Sequence, residues 1–311
     1  WEEAKVTSEI IRRKFAGEKR VEIVETKPGI ILHREGKLGL AVDWTGYRTG
    51  KELRALHSQL TSQSAAECVD AFKDWLTPIQ NFICADKTSI GYLHAGFVPR
   101  REVGEGRFIR DGRGGKSRLT VAVDRLPQSF NPKQGYLLSA NQKVAPPGYP
   151  DYLGWDYESP FRGMMIRQTL KSKEKLSPED FIKLQNENLD LQAKMVLPLL
   201  LKNTTEEADK VWLQRLRAWD YRIRSGTAEP AVVRAWWRAT KEALFMDELG
   251  SSAVLLPKDQ RVIWMLEKLD ANPGDPDVKW VDNINTKDHV ESLDEVITGA
   301  LEEALKKLES E

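Results

Sequence analysis

The hydrophobic period of this chain changes part-way along, and that change limits the folds open to it. Up to about residue 130 apolar and polar residues alternate in short runs cut by Gly and Pro, as in Arg20–Thr26, Gly29–His33 and Lys37–Thr45. This is the pattern of antiparallel strands joined by tight turns. After Arg162 the apolar residues recur at a helical spacing of about 3.6. Strands first and helices afterwards make an α+β chain, with a strand-rich part over residues 1–162 and a helical annex over 163–311.

In the first part, Ser64-Ala-Ala-Glu67 has the form of a capping box, and Val69, Phe72 and Leu76 follow at helical spacing. A helix over about 64–76 is expected to cover one face of a sheet. Asn81–Ala85 and Ile90–Val98 read as a strand pair turning at Asp86-Lys-Thr-Ser, and Leu119–Asp124 and Gly135–Ala140 as further strands. Between them Pro99–Arg118 carries seven basic and three acidic residues among five glycines and reads as a solvated loop. It has neither the spacing of a phosphate loop nor the interleaved aromatics that stack bases.

In the second part Ser177-Pro-Glu-Asp180 is a capping box with Pro at the first helical position, and Phe181, Leu184, Leu191 and Met195 share a stripe. Further helices are expected at Ala208–Trp219, Ala231–Leu249 ended by Gly250, Val262–Leu269 and Ser292–Leu308, the last capped by Ser292-x-x-Glu295. Six of the ten tryptophans fall between 212 and 280. Their large apolar area should form the core of this half.

The junction Phe130–Arg162, FNPKQGYLLSANQKVAPPGYPDYLGWDYESPFR, is where chemistry is expected. Four prolines and two glycines between Asn141 and Arg162 forbid a regular ladder, while Tyr149, Tyr152, Trp155 and Tyr157 supply mass to pack. An ordered loop over a cavity follows. An Asn ending a strand serves well as a turn residue, because it tolerates left-handed backbone and satisfies nearby amides. With an Arg shortly after, it also offers the neutral donor and positive field that an acyl-transfer oxyanion requires. These residues alone leave both readings open, as they leave open a non-catalytic α+β binding or structural module.

Forty-seven basic and 47 acidic residues cancel, so no long-range field recruits nucleic acid or an anionic membrane. The sequence contains no run of about 18 apolar residues, the length needed to span a bilayer. The opening Trp1-Glu-Glu-Ala-Lys is no signal peptide and suggests a fragment or processed piece. Cys68 and Cys84 are expected to be small buried apolar residues without a disulfide framework. His33, His57, His94 and His289 lack metal-ligand spacing, so no metal site is expected in this chain, and no Gly-x-Ser-x-Gly elbow exists.

NPKQGYLLSANQ, then YPDYLGW and PFRGMMIRQTL, resembles the penicillin acylase (penicillin amidase) family of N-terminal nucleophile hydrolases. That family shows an Asn-Pro, a Gly-Tyr strand, an Asn-rich turn, a Tyr-Pro and an Arg opening a helix. NFICADKTSIGYLHAGFVPRR, Asn81 to Arg101, is similar to a second family block, an Ala-Asp turn before an Ile-Gly-Tyr strand. Thr26-Lys-Pro-Gly-Ile-Ile-Leu resembles a third, with Pro28 where the family usually has His.

The resemblance implies the central part of the large subunit: a partial αββα sandwich of antiparallel strands followed by a helical region. It implies hydrolysis of acyl amides, linear or on β-lactam side chains, by a serine that precursor self-cleavage exposes, through an acyl-enzyme. By motif position Asn141 and Arg162 match the family's oxyanion residues, and Tyr149 and Trp155 would line the substrate pocket. The Ser-Asn-x-Trp start and the late Trp-x-x-Gly-x-x-His are missing, so this chain alone is expected to be inactive. Its partners would be an acyl-amide small molecule and the remaining segments or small subunit of the same precursor. Calcium, which the complete family enzyme can hold, would find near Asp151 one acid of its site; other cofactors are not implied. A periplasmic or secreted location is expected.

Overall fold

The computed structural model describes residues 4–27, 29–101, 106, 108–112, 120–205, 208–250 and 256–310. The chain divides into two compact units, Trp1–Glu158 and Ser159–Glu311. In the first, β1 (Lys5–Arg13), β2 (Gly17–Thr26), β3 (Gly29–Glu35) and β4 (Leu38–Val42) form an antiparallel sheet in chain order. The alternating runs of the sequence became β2 to β4. β1 was not readable, because every one of its residues is exposed and its sequence carries no one-sided pattern. Gly29, at φ +150°, lies so close to β4 that a Cβ would meet the Val42 carbonyl oxygen at 2.2 Å, which reserves the position for glycine. Its neighbour Pro28 lies outside the described residues, as does Trp1.

Two helices, α1 (Glu52–Thr61) and α2 (Ala65–Ala71), precede a second antiparallel sheet of β5 (Gln80–Ala85), β6 (Ile90–Ala95) and β7 (Gln128–Phe130). Ser64 caps α2 by accepting the Glu67 N–H, but the Glu67 carboxylate takes the Gln63 N–H at 2.8 Å. The box is therefore offset by one residue. Asp86, at the β5–β6 turn, accepts the Ala65 N–H at 2.8 Å and those of Thr88 and Ser89 at 2.8 Å each. The Ala65 amide first, then that of Thr88, hold its pKa down to about 2. One carboxylate thus pins the start of α2 to the corner of the sheet.

Two expected strands do not form. Thr120 makes a single bridge to Pro99, Val123–Arg125 is a 3-10 turn, and residues 136–139 are irregular. Leu119 lies outside the described residues. β7, which pairs with Gly91, Tyr92 and Leu93, holds the edge of β6 instead. Residues 136–139 are all half-buried, so their apolar character reports packing from both sides rather than a ladder.

The cysteines also depart from expectation: Cys68 and Cys84 form a disulfide with Cα atoms 6.1 Å apart. α2 lies across β5 and brings together residues 16 apart in sequence, an apposition that spacing cannot reveal. Around it Phe72 stacks on Phe82 with centroids 3.6 Å apart, above fully buried Leu93 and Ala95. Replacing both cysteines by Ser is expected to cost about 2–3 kcal/mol, the loop-closure value for a loop of this length. Urea midpoints that coincide for oxidised, reduced and double-Ser protein would contradict it.

In the second unit the chain forms α3 (Phe161–Lys171), α4 (Pro178–Gln185), α5 (Leu191–Lys202), α6 (Lys210–Ala218), α7 (Glu229–Leu249), α8 (Asp259–Ala271) and α9 (Leu293–Glu309). The capping boxes at Ser177 and Ser292 are reciprocal, and Gly250 closes α7. The stripe expected over 181–195 is divided between two helices, because Asp190 accepts the Ala193 N–H and starts α5 afresh. Trp236, Leu244, Leu266, Ile297 and Leu301 are fully buried. Trp264 does not join them: it is 58% exposed, with the Lys268 ammonium 4.5 Å from its ring centroid. Among the described residues no helix is long and apolar enough to cross a membrane.

Candidate active site

Asn141 sits in a left-handed turn at φ +64°, exposed, at the start of the proline-rich loop. Its carbonyl accepts the Glu158 N–H at 3.0 Å, which ties the two ends of the loop together. The preceding Ala140 N–H donates to the Gln142 side-chain oxygen at 2.7 Å, closing the turn on the other side. Further along, Arg125 grips Asp151 through two hydrogen bonds of 3.0 Å, and the Tyr149 hydroxyl donates to the Arg125 carbonyl at 2.6 Å. Burial first, then the Asp151 charge, pushes the Tyr149 phenol up. Trp155 is 46% exposed. The expected ordered loop is present, and its order comes from these polar ties as much as from its aromatics.

Arg162 lies in the second unit, exposed on the first turn of α3, where buried Phe161 and Gly163 flank it. Asn141 and the loop aromatics lie in the first.

Beneath the loop is a polar cluster that sequence reasoning missed. Asn81 on β5 faces His94 on β6, and its side-chain oxygen receives both the Tyr92 hydroxyl at 2.6 Å and His94 Nδ1 at 2.8 Å. A carbonyl oxygen only accepts, so this arrangement has the Tyr92 hydroxyl and a His94 Nδ1–H both donating to it. Burial, followed by the nearby Tyr157 and Tyr149 phenols, pushes Tyr92 well above the ordinary tyrosine range, so loop rings lie close to this strand. The signal in the sequence was Tyr92-x-His94, two polar residues on one face of an otherwise apolar strand.

Burial lowers the His94 pKa below its ordinary 6.5. Unfolding exposes an imidazole that takes up a proton as the pH drops below 6.5, whereas the folded one resists. Stability of the first unit is therefore full above 6.5 and falls as the pH descends toward the lowered folded value. The slope is at most about 1.4 kcal/mol per pH unit, that of one proton. Urea midpoints at pH 7.5 and 5.5 check this, and His94→Gln should flatten the difference; an unchanged slope in that variant would assign the acid limb elsewhere.

Among the described residues no group of three or more His, Cys, Asp or Glu is arranged to hold a metal ion. Asp151, near the calcium acid implied by the resemblance, accepts one hydrogen bond from Arg125 on each of its oxygens.

A family model described as penicillin amidase matches residues 1–311. An acyl-homoserine lactone acylase of Pseudomonas fluorescens is 25% identical over 273 residues, covering 80% of this chain and 34% of that protein. A penicillin acylase 2 proenzyme of a Pseudomonas species is 24% identical over 231 residues, covering 71% and 30%. The chain thus spans about a third of the length of these curated relatives. The solved structure of a thermostable penicillin G acylase from Alcaligenes faecalis superposes with a TM-score of 0.73 at 20% identity, over 100% of this chain and 61% of that one. That likeness shows a shared fold of antiparallel sheets and helices.

Proposed function

This chain belongs to the penicillin amidase family, and from that premise we propose that it is the oxyanion-bearing part of an acyl-amide hydrolase. Residues 1–162 serve as the strand-rich part of the hydrolase domain and residues 163–311 as its helical annex. The nucleophile is an N-terminal serine supplied by a part of the parent polypeptide outside these residues. Its hydroxyl attacks the amide carbon while its own α-amino group takes the proton; the oxyanion collapses, the amine leaves with that proton, and water resolves the acyl ester. In this reading the Asn141 side-chain N–H donates to the oxyanion, and Arg162 takes, by motif position alone, the part of the family's positive group. Tyr149 and Trp155 line the acyl side.

The observation that carries the reading is the Asn141 turn: an asparagine in left-handed backbone, held by its neighbours on both sides, at the motif position of the family's oxyanion donor. Preorganisation of this kind lets a donor stabilise charge without rearranging as it develops. Substrates are N-acyl amides, whether N-acyl-homoserine lactones or the side-chain amides of β-lactams, as the relatives' names suggest. Export to an oxidising compartment accords with the Cys68–Cys84 disulfide. Joined to the rest of its precursor, the chain is expected to release free amine from a panel of such substrates; a folded, processed assembly that releases none from any of them would overturn the assignment.

A further inference from the structure

The β1–β2 hairpin has no part in the reading above. Only Glu25 and Thr26 of β2 pair with β3, so among the described residues the rest of the hairpin has no third strand beside it, and every residue from Lys5 to Arg20 is exposed. A ribbon of two strands is only marginally stable in water. Its tip, Arg12-Arg13-Lys14-Phe15-Ala16-Gly17-Glu18-Lys19-Arg20, carries five basic residues and one acidic one, and Arg12 already holds that acid at 3.2 Å. Strand pairing puts Arg12 and Arg20 on one face and Arg13 and Lys19 on the other. The cations therefore surround the end of the hairpin rather than cover one side of it. At the apex Phe15 is 95% exposed, in left-handed backbone at φ +68°, with the Lys14 ammonium 5.2 Å from its ring centroid. Asn or Gly would hold this turn with less strain, so turn geometry does not account for a phenyl ring there.

We propose that this tip docks end-on against an anionic lipid surface, with the Phe15 ring at the boundary of headgroups and acyl chains and the surrounding cations among the lipid phosphates. A protein packed against one face of the hairpin would meet only half of these cations. A lipid surface met end-on takes all of them, with the aromatic ring between. The 47 basic and 47 acidic residues of the whole chain cancel at a distance, but so local a patch acts within the screening length of about 8 Å at physiological salt. Neither the serine nor Asn141 enters this contact. Docking and hydrolysis are therefore separable.

Co-sedimentation of the chain, joined to the rest of its precursor, with vesicles of mixed phosphatidylglycerol and phosphatidylcholine tests it, against vesicles of phosphatidylcholine alone. The expected result is binding to the anionic vesicles only, lost in about 1 M salt, where the screening length falls to about 3 Å. Lys14→Gln and Lys19→Gln should each weaken it about fivefold, and Phe15→Asn about tenfold. Asn suits the left-handed turn, so the unfolding midpoint of Phe15→Asn should not drop. Sedimentation with neither vesicle, as when another part of the precursor covers the tip, would overturn the proposal. So would equal binding to both vesicles, or an affinity indifferent to all three substitutions.

Discussion

Trp236→Ala is expected to lower the stability of the helical unit by about 3–5 kcal/mol, the range for removing a buried tryptophan. Trp236 has no exposed surface, and its indole N–H donates to the Ile297 carbonyl at 2.9 Å, joining α7 to α9 at the centre of the core. Two losses combine: the cavity left where the ring was, and the buried hydrogen bond between the helices. Trp264→Ala is the matched control, since that ring is 58% exposed, and its cost should stay under about 1 kcal/mol. Urea unfolding followed by far-ultraviolet circular dichroism separates the two. Similar small losses for both would mean that this half is not built around the α7–α9 seam.

Much of that half was legible because helix starts are local chemistry. Ser177 and Ser292 announced their capping boxes three residues ahead, and Gly250 its stop, without reference to any distant contact. α1 gave no such notice: its N-cap is Lys51, which makes no side-chain cap, and Leu53 and Leu60 on it are 84% and 78% exposed. Position in space was harder to read than element type. GYLLSA has strand composition, yet β7 holds the sheet edge, and nothing within a single segment says which segment will pair.

The cysteines and the Asn81–Tyr92–His94 cluster share that difficulty. Each depends on a helix or strand arriving opposite another, and the sequence shows the residue types without the apposition. The loop after Asn141 could be read as ordered from its aromatics and prolines. Its actual ties, Arg125 to Asp151 and Tyr149 to the Arg125 carbonyl, reach back some two dozen residues to the residue just after the strand expected over Leu119–Asp124. The oxyanion role proposed for Asn141 rests on motif order, since an asparagine that merely turns the chain would adopt the same backbone.

The second large effect concerns Asn141 itself. An oxyanion donor acts chiefly on charge that exists only in the transition state, so its loss should appear in kcat and leave KM nearly untouched. Asn141→Ala is expected to lower kcat about 100- to 1,000-fold, the range for deleting one such donor. Its left-handed backbone adds a cost in stability of about 1 kcal/mol for Ala, which an unfolding curve measured alongside will show. Asn141→Asp, which keeps the turn propensity but brings a negative charge to the anion, should be at least as inactive as Ala. The most direct measurement is therefore the kcat and KM of wild type and Asn141→Ala in the processed, serine-bearing assembly on one acyl amide. A fall in kcat of two or more orders of magnitude at nearly constant KM is the predicted result; a folded Asn141→Ala enzyme with wild-type kcat would contradict it.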